Sequence, residues 1–101
     1  MTPDGSVHHI MLWLEDAEND LLAFKAYMNV RNPESSSSIL QAVFHSVDLL
    51  SDNPLMGKVD DIHGTRIFSV PDSPLKIIYT AEKDCVYILF IPHQKQQWPP
   101  Q

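Results

Sequence analysis

Thr65-Arg66-Ile67-Phe68-Ser69-Val70, Pro71-Asp72-Ser73-Pro74, Leu75-Lys76-Ile77-Ile78-Tyr79-Thr80, Ala81-Glu82-Lys83-Asp84 and Cys85-Val86-Tyr87-Ile88-Leu89-Phe90-Ile91 form one continuous run. Three segments rich in β-branched and aromatic residues alternate with two short spacers of turn-forming residues. Such segments read as strands, and connections this short can only join antiparallel neighbours, so the run predicts a three-stranded meander. Residues 86–91 are apolar on both faces, as an interior strand requires.

Working back towards the N-terminus, residues 53–64 hold Pro54, Gly57 and Gly64 with few periodic apolar positions and read as a loop. Before it, Ile39, Leu40, Val43, Phe44, Val47 and Leu50 make a wide apolar stripe at helical spacing. Asn32-Pro33-Glu34 is a helix start: a capping side chain, a proline at the first position, then an acid. Ser35 to Ser38 lie between that cap and the stripe and are assigned to the helix rather than to a linker. A preceding helix opens at Glu15-Asp16-Ala17-Glu18, whose acids oppose the positive end of the helix dipole. Its apolar face is Ala17, Leu21, Phe24 and Met28, and Pro33 stops it near Arg31. Residues 7–14, with five apolar residues in succession, predict a buried strand near the centre of the sheet. The expected fold is therefore α+β: a small antiparallel sheet in the order β-α-α-β-β-β, with a helical hairpin on one face. Residues 1–101 are read as a single domain, with 1–6 and 99–101 flexible.

The 101 residues carry a net charge of −6. Residues 1–61 hold ten acids and three bases, residues 62–101 three acids and four bases, so any phosphate-binding surface belongs to the second half. The longest apolar run, residues 86–92, is far short of the roughly 20 residues of a spanning helix. Neither a signal-peptide pattern nor a basic amphipathic helix is present, which points to a cytoplasmic protein without membrane contact. Cys85 is a single thiol that follows the acidic residues Glu82 and Asp84, and it is read as buried and inert.

Chemistry-bearing motifs are sparse. The three glycines are far apart, so there is no phosphate loop. His8 and His9 point to opposite faces of a strand and chelate poorly. His45 reads as edge-of-core packing beside Phe44, and His63 as a loop residue. No metal and no cofactor are expected. What draws attention is the sheet face away from the helices. Arg66, Phe68 and Val70 share a face of one strand, and Lys76, Ile78 and Thr80 a face of the next. Together they are expected to line a docking groove, with His93 at its mouth and Trp98 as an anchor in the tail. The alternative is that Arg66 and Lys76 are solvated strand residues paired with nearby acids.

The segments Asn53-Pro54 with Gly57, Gly64 to Val70, Leu75 to Tyr79 and Val86 to Pro99 resemble the RelE/ParE superfamily of toxins from type II toxin–antitoxin modules. The opening Leu12 to Leu21, a short strand running into an acid-capped helix, is similar to ParE starts. The resemblance implies a ParE-like inhibitor of DNA gyrase, neutralised by a cognate ParD-like antitoxin and making no sequence-specific nucleic-acid contact of its own. It implies target or antitoxin contacts at Arg66, Phe68, Lys76, Ile78, His93, Lys95 and Trp98. A RelE-like relative would instead be a ribosome-dependent mRNA endonuclease, for which Arg66, Lys76, Tyr79 and His93 supply the residue types. The acidic balance favours the ParE branch, because a nuclease working amid RNA phosphate is expected to be basic. A non-toxic peptide-binding module is the remaining alternative. The tail departs from the family pattern. Gln94, Lys95 and Gln96 stand where arginines usually follow the histidine, and lysine does not reproduce a bidentate arginine fork.

Overall fold

The computed structural model describes residues 8–60 and 64–93. Glu15–Arg31 forms α1. Its first turn holds Glu15, Asp16 and Glu18, and Ala17 and Phe24 are buried on its inner face with Leu21 and Met28 beside them. A single residue, Asn32, separates it from α2, Pro33–Asp52. The Asn32 N–H donates to Met28 O at 2.7 Å and closes the first helix. Its side-chain oxygen accepts from the Ser35 N–H at 3.2 Å and opens the second. One asparagine thus caps both helices. The four serines are helical. Ser46 is buried and returns its hydroxyl to Ala42 O at 2.8 Å, whereas the Ser36 hydroxyl is buried with no partner among the described residues.

Five strands make one sheet: β1 Ile10–Trp13, β2 Lys58–Asp60, β3 Thr65–Ser69, β4 Lys76–Ala81 and β5 Cys85–Phe90, in the spatial order β1-β5-β4-β3-β2. The meander β3-β4-β5 is antiparallel, as its short spacers require. In its first turn Asp72 takes a left-handed φ of 57°, while Ser73 accepts from the Leu75 N–H and donates to Val70 O. The α+β class and the hairpin over one sheet face are as expected.

Three local features differ. Lys58–Asp60, expected as loop, pairs with β3 through Val59 and Arg66 and forms a short edge strand. The first strand lies at the edge of the sheet and not near its centre, and it runs parallel to β5, which makes the sheet mixed. Its apolar run is split between two faces: Met11 and Trp13 join the core, whereas Ile10 and Leu12 are exposed. A continuous apolar run does not distinguish these two situations. Finally, Phe44 and His45, read as core and core edge, are both exposed on α2, where Val43, Val47 and Leu50 do the packing.

The core lies between the hairpin and one sheet face. Leu75, Ile77 and Tyr79 of the β4 segment and Val86 and Ile88 of β5 meet Ala17, Phe24, Val43, Val47 and Leu50. Tyr79 pairs with Ile88 but Ile78 with Phe90, so the ladder passes over Leu89, and Phe90 stands across from Ile78 on the other face.

Candidate functional site

Strand register decides which of the expected site residues can meet. Directly paired residues share a face, and successive residues alternate. Arg66 pairs with Tyr79 and Phe68 with Ile77, so Arg66 and Phe68 belong to the helix-covered face. Lys76 pairs with Ser69 and Ile78 with Ile67, on the opposite face. The groove expected to hold both Arg66 and Lys76 is therefore not formed. Within each strand the grouping of residues by face holds, but Arg66, Phe68 and Val70 take the helix-covered face and not the open one, because the register between strands, invisible in the sequence, sets the two patterns out of phase. Nor is the face away from the helices bare at its centre, because Ile78 is fully buried there with Ile67 and Phe90 opposite it in register.

Arg66 is occupied within the fold. One guanidinium nitrogen donates to Leu55 O at 3.1 Å and to Gly57 O at 2.9 Å. Tyr79, fully buried, completes the arrangement: its hydroxyl donates to Pro54 O and accepts from the Gly57 N–H, both at 2.8 Å. Burial pushes the Tyr79 hydroxyl above its ordinary pKa, an effect that the Gly57 N–H and the Arg66 charge partly offset. A Cβ on residue 57 would lie 2.5 Å from that hydroxyl, so the close approach requires glycine. Arg66 and Tyr79 thus clasp the backbone of residues 54–57 and hold Leu55 and Met56 outward, exposed.

His93 lies at another end of the molecule. It bridges to Leu75, and its ring is centred 6.3 Å from that of Phe24. With Asp20, Ala23, Tyr27 and Ile91 it lines a cleft between α1 and the sheet. There the Asp20 carboxylate accepts from the Ile91 N–H at 2.9 Å, tying helix to strand end. Lys76 is close in the chain pairing, its N–H donating to Pro92 O, but its side chain belongs to the other face. Arg66, Lys76, Tyr79 and His93 are consequently not assembled around one point. Lys95 and Trp98, like His63, lie outside the described residues.

His8 contacts the Asp52 carboxylate, while the His9 backbone N–H donates to Ser51 O at 2.8 Å. The pair pins the start of β1 to the end of α2. Among the described residues no group of three or more His, Cys, Asp or Glu side chains could hold a metal ion, and no helix is long and apolar enough to cross a membrane.

An apolar notch was not anticipated. Trp13, Leu21, Leu22 and Phe44 line it, with Glu18 at its rim. The Trp13 and Phe44 rings are centred 6.2 Å apart and tilted by 50°. Phe44 is 53% exposed and Leu22 62%. A signal was available in the sequence: Leu22, Tyr27 and Val30 fall off the stripe that Ala17, Leu21, Phe24 and Met28 define, so α1 is apolar beyond its buried face.

Residues 11–98 match the family described as the ParE toxin of the type II toxin–antitoxin system parDE. A solved structure, described as the chromosomal ParDE toxin–antitoxin system from P. aeruginosa, superposes with a TM-score of 0.74 at 21% sequence identity. The match covers 85% of this chain and 96% of that one, and it is a likeness of fold. No curated protein matches the chain.

Proposed function

This chain belongs to the ParE toxin family of type II toxin–antitoxin systems, and from that membership we propose that it inhibits DNA gyrase and is neutralised by a cognate antitoxin. The observation that separates this from mRNA cleavage is the dispersal of Arg66, Lys76, Tyr79 and His93. General acid–base cleavage needs a proton donor, a base and a cation around one phosphate. Here the tyrosine hydroxyl is buried in a backbone clasp, the arginine is bound to carbonyls, and the lysine stands across the sheet. The acidic balance of the chain argues the same way, since a ribosomal nuclease works against RNA phosphate.

In this reading the toxin acts by binding. Lys76 on the open face and His93 at the strand end, continued along the chain by Lys95 and Trp98, make the contact set, while Arg66, Phe68 and Ile78 support it from within. Purified protein incubated with gyrase and plasmid is expected to block supercoiling or to accumulate cleaved DNA. No effect at high molar excess overturns the proposal. Programmed ribosomes are expected to keep their mRNA intact, and A-site cutting that disappears in His93→Ala would establish the nuclease instead.

A further inference from the structure

The notch of Trp13, Leu22 and Phe44 sits in the most acidic part of the chain. Residues 15–52 contain seven acids and two bases, a net of −5 that accounts for most of the chain's −6. α2 has no lysine or arginine at all. Glu15, Glu18 and Leu22 follow one another along one side of α1, and Asp48 stands one turn after Phe44 on α2, all of them exposed. Lys25, a turn beyond Leu22, is the nearby cation of the hairpin; Arg31 is stacked 3.8 Å over the Tyr27 ring. The C-terminal half of α2 adds the negative end of its dipole to Asp48 and to Asp52, which His8 contacts.

We propose that this notch receives an amphipathic segment of the antitoxin that is basic: an aliphatic or aromatic side chain seated between Leu22 and Phe44, flanked by lysine or arginine facing Glu15, Glu18 and Asp48. The proposal rests on the toxin–antitoxin reading and adds the location and charge of the partner. Two solvent-facing aromatic and aliphatic side chains beside a half-buried tryptophan supply apolar area and an anchor pocket. The surrounding carboxylates repel one another in the free chain, and a cationic partner relieves that repulsion, whereas an acidic one aggravates it. Charge complementarity thus selects the partner, and apolar contact holds it.

The test measures binding of the full chain to the protein encoded in the adjoining reading frame, by calorimetry at about 50 mM and about 300 mM salt. Wild-type affinity is expected to fall about tenfold between the two conditions. Glu15→Lys combined with Glu18→Lys should weaken binding about tenfold at low salt and flatten the salt response. Phe44→Ser should weaken it at least about tenfold at both salts, and Leu22→Ser similarly. These side chains are exposed, and unchanged thermal melts verify that the variants fold. Equal or tighter binding by the charge-reversed chain, or indifference to both apolar variants, overturns the notch proposal while leaving the toxin–antitoxin reading intact. If the wild-type chain does not bind that protein at all, both fall together.

Discussion

The clasp around Gly57 and the notch around Phe44 are built from the opposite of what their positions suggest. The clasp uses an arginine and a tyrosine, residue types associated with function, and applies them to backbone groups of its own chain. The notch uses phenylalanine, leucine and tryptophan, residue types associated with cores, and leaves two of them largely exposed. The lesson is about supply and demand of hydrogen bonds. Residues 54–57 run from the end of α2 to the start of β2, and the carbonyls of Pro54, Leu55 and Gly57 and the Gly57 N–H take their partners from the long polar side chains of Arg66 and Tyr79. The hairpin satisfies its own backbone, so its surplus apolar side chains have no internal task.

Substitutions that break this contrast should differ most at the two aromatic residues. Tyr79→Ala removes a fully buried ring and both of its hydrogen bonds and is expected to cost about 3–5 kcal/mol in urea unfolding. Phe44→Ala, on a half-exposed ring, should cost under about 1 kcal/mol. Comparable losses at the two sites would erase the distinction.

Tyr79→Phe isolates the hydroxyl. It leaves the Gly57 N–H and Pro54 carbonyl without their partner and should cost about 1–3 kcal/mol. The same hydroxyl gives an alkaline signature. Its folded pKa is raised above 10.0, so the folded state holds the proton more tightly than the unfolded chain does. Stability is therefore intact below pH 10 and declines as pH rises from there towards the folded value. Urea melts at rising pH should reveal this decline in the wild type and a shallower one in Tyr79→Phe. Equal slopes would remove the clasp as its source.

The cations sharpen the comparison further. Arg66→Met should lose about 1–2 kcal/mol, because two backbone carbonyls lose a charged donor. Lys76→Met, with no such contact to lose, should change stability by less than about 0.5 kcal/mol. One substitution should be a gain: Ser36→Ala removes a buried hydroxyl without a partner and favours the helix, for about 1 kcal/mol of added stability. A loss there would mean that the hydroxyl is satisfied after all.

Local chemistry carried the fold a long way. Asn32-Pro33 placed the corner between the helices to the residue, and the spacers at residues 71–74 and 81–84 placed the meander, because capping and turn formation depend on a few adjacent side chains. The same reasoning misplaced β1 and passed over β2. Three residues of edge strand leave almost no periodicity, and an apolar run carries no label saying whether one face or two will be covered.

The candidate site was less legible for a related reason. Grouping Arg66 with Lys76 needed the offset between two strands, and regarding Phe44 as core needed the rotation of α2 about its axis. Neither is a property of a short segment. Composition and order alone established an acidic α+β chain with a capped hairpin and a three-stranded meander, since those follow from charge, capping and turn residues. Only the packed structure decided that Arg66 faces inward to hold a loop and that Phe44 faces outward beside Trp13. Register and helix rotation are set by how whole surfaces fit together, and that fit is a sum over contacts between residues far apart in the chain.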